Sequence, residues 1–228
     1  MKVGVVVFPG SNCEHDVVEA LSGLGADAEL LWHGDESIGA ADAVVLPGGF
    51  AHGDYLRPGA IARFSPVMAA VSRFARQGGP VVGICNGFQI LTEAGLLPGA
   101  LQKNRGLKFL CRTVAVRVES TASVLTKRAE LGAVLRVPIN HFEGNYTCDA
   151  SALKGLQDNG QIVLRYVDNP NGATDGIAGI CSPEGNVVGL MPHPERATDE
   201  LLGSDDGLVL LRSLLAAGVP AAAAPASR

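Results

Sequence analysis

The run "VVGICNGFQI", residues 81–90, ends a β-branched stretch on a cysteine set between Gly83 and Gly87. A G-x-C-x-G pentapeptide between a strand and a helix has the form of a nucleophile elbow, where small flanking residues let a strained turn lift one side chain above the sheet. The N-terminus of the following helix favours a thiolate at that point. Cys85 is therefore the candidate nucleophile; the alternative is a small buried thiol whose glycines serve only the turn. A thiol nucleophile needs a base, and the base needs an orienting group. In "NVVGLMPHPER" His193 closes an apolar run, Pro194 holds it out of the helical region, and Glu195 projects to the same side of an extended chain. This pair is preferred over His15, His33, His52 and His141. Its plain alternative is an exposed turn with an ion pair to Arg196.

A third stretch, "LPGGFAHGDYLRPGA" at residues 46–60, carries Gly48, Gly49, Gly53 and Gly59 directly after a strand. Glycines at a sheet's carboxyl edge let backbone N–H groups converge on an anion or oxyanion. An ordinary glycine-rich loop explains the same residues. The stretch is neither a G-x-x-x-x-G-K-[ST] phosphate loop nor a G-x-G-x-x-G dinucleotide fingerprint.

The elements that must position these groups are legible as periodicity. "KVGVVVF" reads as a strand buried on both faces, followed by a helix with Ser11 and Glu14 at capping-box spacing, Val17, Leu21 and Leu24 on one face, and Gly25 as its stop. "AELLW" and "AVVLPGG" supply two more apolar runs, and "SPVMAAVSRFARQGG" a helix with Ser65 as cap and Pro66 in its first turn. "PVVGI" and "NGFQILTEAG" make the next strand and helix. Strands alternating with helices predict a parallel sheet covered on both faces. From about residue 106 "CRTVAVRV", "AVLRVPI", "QIVLRYV", "IAGICS" and "NVVGLM" follow with few helical stretches between them, which predicts an antiparallel extension. "SDDGLVLLRSLLAAG" reads as a closing helix capped at Ser204 or Asp205. One domain over residues 1–217 is expected, with 218–228 as a frayed, low-complexity tail.

Composition narrows the class. Eighteen Lys and Arg against 23 Asp and Glu leave a net charge of −5, which argues against a general nucleic-acid binder. No apolar run approaches the about 20 residues of a membrane span, and the opening "MKVGVVVFPGSN" is too short in its apolar part for a signal peptide. A cytoplasmic protein is expected. Five widely spaced cysteines without a C-x-x-C pair predict reduced thiols, neither a disulfide framework nor a zinc site.

Taken together, "PGGFAHGDYLRPGAIARF", "GICNGFQIL", "NHFEGNY" and "MPHPERATDELLGSDDG" resemble the class I, triad-type glutamine amidotransferases. Within that class the glycine loop and the "ELLGS" segment resemble the glutaminase subunits of phosphoribosylformylglycinamidine synthases. The resemblance implies a flavodoxin-like open α/β sheet, mostly parallel. It implies Cys85 as nucleophile, His193 as base and later acid, and Glu195 as the group that orients His193. Backbone N–H groups of Gly49 and Asn86 would form the oxyanion hole, and Gln89, Asn140 and His141 would line the glutamine pocket. Asn140 and Phe142 stand where the family pattern has small residues, and His52 where it has an aromatic. The implied partners are a large synthetase subunit, which uses ATP and Mg²⁺ to make formylglycinamidine ribonucleotide, and a small third subunit; no cofactor or metal is implied in this chain. Competing classes are a stand-alone hydrolase such as a γ-glutamyl hydrolase, a DJ-1/PfpI-like redox protein, whose pattern has His where Asn86 stands, and a donor of ammonia to another pathway. Cys13→Ser and Cys181→Ser are expected to stay active.

Overall fold

A computed structural model describes residues 1–217, and the tail expected at 218–228 lies outside the described residues. The chain begins with β1 (Lys2–Val7), α1 (Glu14–Gly23), β2 (Asp27–Trp32) and β3 (Ala43–Leu46). Next come α2 (Pro66–Arg76), β4 (Val81–Ile84), α3 (Asn86–Glu93) and β5 (Ala100–Gln102). The remainder runs β6 (Leu110–Val118), β7 (Val134–His141), β8 (Asn145–Thr147), α4 (Ala150–Asp158), β9 (Ile162–Tyr166), β10 (Ile177–Cys181), β11 (Val187–Leu190) and α5 (Gly207–Leu215). Among the described residues no helix is long and apolar enough to cross a membrane.

Nine strands form one sheet in the order β2-β1-β3-β4-β11-β10-β9-β6-β7. The first five are mutually parallel, and their order is the 2-1-3-4-5 of flavodoxin-like folds with β11 in the fifth place. β3, β4 and β11 are buried at every position because helices cover the sheet, so β-branched and aliphatic residues run through them without alternation. Right-handed crossovers leading in opposite directions from β1 and β3 place α1 and α2 on opposite faces. α3 lies close on the sheet because Gly189 leaves room for Phe88, whose ring stacks on Tyr146 at 5.8 Å. Phe88, Ile90 and Leu91 are fully buried there, each removing apolar surface worth about 1.5–3 kcal/mol.

The antiparallel part, β10, β9, β6 and β7, extends the sheet as the alternating sequence suggested. "NVVGLM" departs from that expectation. It turns back from β10 and inserts beside β4 in parallel, pairing Val187–Leu190 with Val81–Ile84. The extension also curls. β7 stands at the far edge in strand order, yet Pro138 O accepts from His193 N at 2.8 Å and Asn140 O lies 3.7 Å from Cys85 Sγ.

Local start signals were less faithful than periodicity. The box at Ser11 and Glu14 does not form, since Ser11 Oγ accepts from Phe8 N at 3.0 Å and closes the preceding turn. Asn12 and Cys13 give their N–H groups to Gly48 O, which delays α1 until Cys13 is its N-cap. Ser65 does precede α2, but its hydroxyl bonds His33 Nδ1. α5 starts after Asp206, not Ser204 or Asp205, and the Asp206 carboxylate accepts from Arg136 N on β7. α4 was not anticipated, although Asp149 caps it by accepting from Ala152 N at 2.7 Å.

Candidate active site

Three of the sequence-selected stretches follow parallel strands and meet at their carboxyl ends: Gly49 after β3, Cys85 after β4 and His193 after β11. This is the edge at which open α/β sheets bind ligands. Cys85 sits at φ 51°, ψ −104°, a backbone state a side-chain-bearing residue rarely takes. Its neighbours explain how the chain tolerates this. A Cβ on Gly83 would stand 2.6 Å from the Gly87 backbone, and one on Gly87 would meet Leu46 O. The elbow therefore demands glycine on both sides of the cysteine, as the pentapeptide suggested.

His193 is extended at φ −104°, ψ 87°, and Glu195 reaches it through a 3₁₀ turn over Pro194–Arg196 and not by strand alternation. Nδ1 of His193 lies 2.6 Å from Glu195 Oε1. Both side chains are buried, and His193 Nε2 and Glu195 Oε2 have no hydrogen-bond partner. Burial alone would depress the imidazole's pKa, but the Glu195 carboxylate and Cys85 outweigh it and hold His193 well above its usual value. Arg196 does not pair with Glu195; its Nε donates to Asp16 at 2.9 Å. The Cys85 thiol, in turn, donates to Asn140 O.

A cavity of about 210 Å³ opens onto Cys85, walled by Gly49, Gln89, Asn140, His141 and Glu143 among others. That is below the usual range for drug-sized ligands and suits a small metabolite. As the first residue of α3, Asn86 has no helical partner for its N–H, and none of the loop hydrogen bonds among the described residues uses the N–H of Gly49. Gly49 lines the same cavity as Cys85, and Asn86 follows Cys85 directly in the chain.

The polar lining is more committed than the sequence implied. Gln89 accepts from Asn86 Nδ2 at 2.8 Å and donates to Glu143 O at 2.6 Å. Asn86 also accepts from Ala51 N and donates to Asp54. These two amides stitch the glycine loop to the 140–144 loop and give the pocket its shape. His141 bonds Asn104 Oδ1 through Nδ1, and burial together with nearby His193 lowers its pKa to about 4. Its ring is therefore neutral and leaves Nε2 buried without a partner. Asn140 and Phe142 wall the cavity, while His52 packs 5.4 Å from the ring of His33.

Sequence reasoning missed Asp54 and Glu143, the two carboxylates of the lining. Burial and the charge of Glu143 raise Asp54 to about 6. Their signal was present as acidic residues inside "HGDY" and "HFEGNY", but only the loop's fold turns them inward. Cys181 is buried in β10, where burial pushes its thiol up to about 11, the state of an inert core cysteine.

Comparison with known proteins agrees with this geometry. The sequence model of the CobB/CobQ-like glutamine amidotransferase domain matches residues 1–205. Phosphoribosylformylglycinamidine synthase subunit PurQ of Rubrobacter xylanophilus is 58% identical over 216 residues, 95% of this chain and 98% of that protein. A chain in the structure of PurLQS from Thermotoga maritima superposes with a TM-score of 0.87 at 42% identity, covering 94% of this chain and 97% of that one. A GMP synthase subunit of Thermoplasma acidophilum shares the fold, with a TM-score of 0.66 at 18% identity over 96% and 94% of the two chains. A family match over residues 1–205, joined to a full-length relative at this identity, means that the chain belongs to the CobB/CobQ-like glutamine amidotransferases.

Proposed function

We propose that this chain is the glutaminase subunit of a phosphoribosylformylglycinamidine synthase, a cytoplasmic enzyme that it supplies with ammonia from glutamine. The observation that carries the chemistry is the strained Cys85 at the mouth of a small cavity, beside a buried His193–Glu195 pair. The choice of acceptor is supported by the PurQ relative and the PurLQS neighbour. ATP and Mg²⁺ are assigned to the synthetase partner, and a small third subunit completes the complex.

In this mechanism Cys85 leaves its resting contact with Asn140 O, its thiol proton passes to Nε2 of His193, and its sulfur attacks the side-chain amide carbon of glutamine. The N–H groups of Asn86 and Gly49 receive the oxyanion. The Glu195 carboxylate, which raises the pKa of His193, stabilises the imidazolium so formed until it gives that proton to the departing nitrogen, so C–N cleavage releases ammonia and leaves a γ-glutamyl thioester. The imidazole, now neutral, takes a proton from water, which attacks the thioester and returns glutamate and the thiol. Glu195 fixes the tautomer and the ring's angle throughout.

The test is His193→Ala in the assembled complex. Amidine formation driven by glutamine should fall by about 10³-fold or more, while formation driven by added ammonium salt should persist at the wild-type rate. Equal loss with both nitrogen sources would mean that His193 serves the assembly and not the release of ammonia.

Asp54 and Glu143 give the pocket a negative wall for the α-ammonium group of glutamine. Because Asp54 titrates near 6, its charge is present above that pH and lost below it. The KM for glutamine should therefore rise as pH falls through about 6. Asp54→Asn should raise KM about 10–100-fold at neutral pH, as expected for a charge-assisted hydrogen bond, and should flatten this pH dependence. A variant with wild-type KM would remove Asp54 from the pocket's recognition.

A further inference from the structure

Cys13 has no part in the chemistry above, yet it stands against the base. A Cβ built on Gly48 would touch both Cys13 Sγ at 3.0 Å and His193 Cε1 at 2.7 Å, so thiol and imidazole flank the same glycine. Ligand atoms of Cys13, His193 and Glu195 all lie within 4.8 Å of one another, the one such cluster among the described residues. We propose that these three residues form a site for a zinc-class divalent cation, and that filling it switches the glutaminase off.

Sulfur, imidazole nitrogen and carboxylate oxygen are the ligand types zinc takes, at about 2.0–2.3 Å, with a fourth position left to water. Tetrahedral binding at those lengths sets ligand atoms about 3.5 Å apart, so closing the cluster requires shifts on the order of an ångström. Charge also matches. A Cys13 thiolate and the Glu195 carboxylate balance the dication, while Arg196, which donates to Cys13 Sγ at 3.2 Å, is already neutralised by Asp16. Glu195 Oε2 is buried without a partner. A cleft of about 790 Å³ between α1 and α5 borders Glu195 and carries the carboxylates of Asp16, Glu19 and Asp199 beside Arg196 and Arg212, while the three ligand side chains themselves are buried, so loading requires a local opening on this side.

The switch follows from proton placement. A cation on Nδ1 displaces the proton shared with Glu195, and the neutral ring keeps its single proton on Nε2. Nε2 is then a donor and cannot accept a proton, while the Cys13 proton passes to solvent. Inhibition rests on the assignment of His193 as base; binding does not.

Two measurements test this. With Co²⁺ as a probe, the full chain carrying Cys111→Ser, to remove the exposed thiol, should develop a thiolate-to-metal charge-transfer band. The band should persist when Cys85→Ser is added and disappear when Cys13→Ser is added instead. In the assembled complex, Zn²⁺ should inhibit glutamine hydrolysis, and Cys13→Ser should raise the inhibitory concentration about 10–100-fold, the scale of a weakened metal site, with basal activity retained. A band that follows Cys85, or none in the Cys85→Ser chain, overturns the site even if Cys13→Ser fails to fold. Inhibition unchanged in Cys13→Ser overturns the switch. An active His193→Ala enzyme would instead remove the base assignment.

Discussion

Replacing Cys85 by serine should lower glutamine hydrolysis in the assembled enzyme by about 10⁴-fold or more, because nothing else in the cavity supplies an attacking sulfur. The substitution exchanges one atom, and the elbow's geometry is set by Gly83 and Gly87, so folding and glutamine affinity should survive. What is lost is nucleophilicity, since a hydroxyl is far weaker than a thiol at neutral pH without a stronger base. Acid quenching of the wild-type enzyme during turnover should trap a γ-glutamyl adduct on Cys85 by mass spectrometry, and the serine variant should show none. Retention of more than about one part in a hundred of the activity would end the covalent mechanism.

The largest expected effect on stability lies two residues away. An alanine at Gly87 would put its Cβ 2.7 Å from Leu46 C and closer still to Leu46 O, in the backbone of the neighbouring strand. No side-chain rotation relieves that contact. Either α3 lifts from β3, and Phe88, Ile90 and Leu91 lose their burial, or the elbow reshapes. Gly87→Ala should cost at least about 4 kcal/mol, the scale reserved for such backbone conflicts, and lower Tm by about 8–16 °C for a chain of this size. Thermal unfolding followed by circular dichroism measures it. Gly23→Ala is the control, because a Cβ there meets nothing within 4 Å. A Gly87→Ala protein that melts with the wild type would show that the helix is not seated on β3 as described.

The elbow was legible in sequence because its cause is local: two glycines, a cysteine and a change of period within ten residues. The pairing of His193 with Glu195 was legible too, but by a different route, through a 3₁₀ turn where alternation had been expected. The parallel strands declared themselves by continuous apolar runs. The role of Asn86 did not, since its side chain joins Ala51, Asp54 and Gln89 across loops that only the fold brings together. Asp54 and Glu143 share that difficulty: an acidic residue in a glycine-rich loop reads as solvated until the loop folds inward. The same holds for Cys13, whose partners lie 180 or more residues downstream. α2 does start at Pro66 after Ser65, as expected, but the capping hydrogen bonds failed for a further reason. Ser11 and Ser65 had hydrogen-bonding options outside the helices they precede, and took them.

The place of β11 has a bearing on how the protein is made. Residues 187–190 fill the gap between β4 and β10, so a nascent chain that has released its first four strands still exposes the backbone of Val81–Ile84 as an open edge. More than a hundred residues must emerge before that edge is sealed, and unsealed parallel edges are where chains pair with the wrong neighbour. The strand that closes it also delivers His193. A nascent chain that has released Cys85 but not yet residue 193 thus holds the thiol without the histidine that faces it, and the proposed chemistry waits for the strand that seals the sheet.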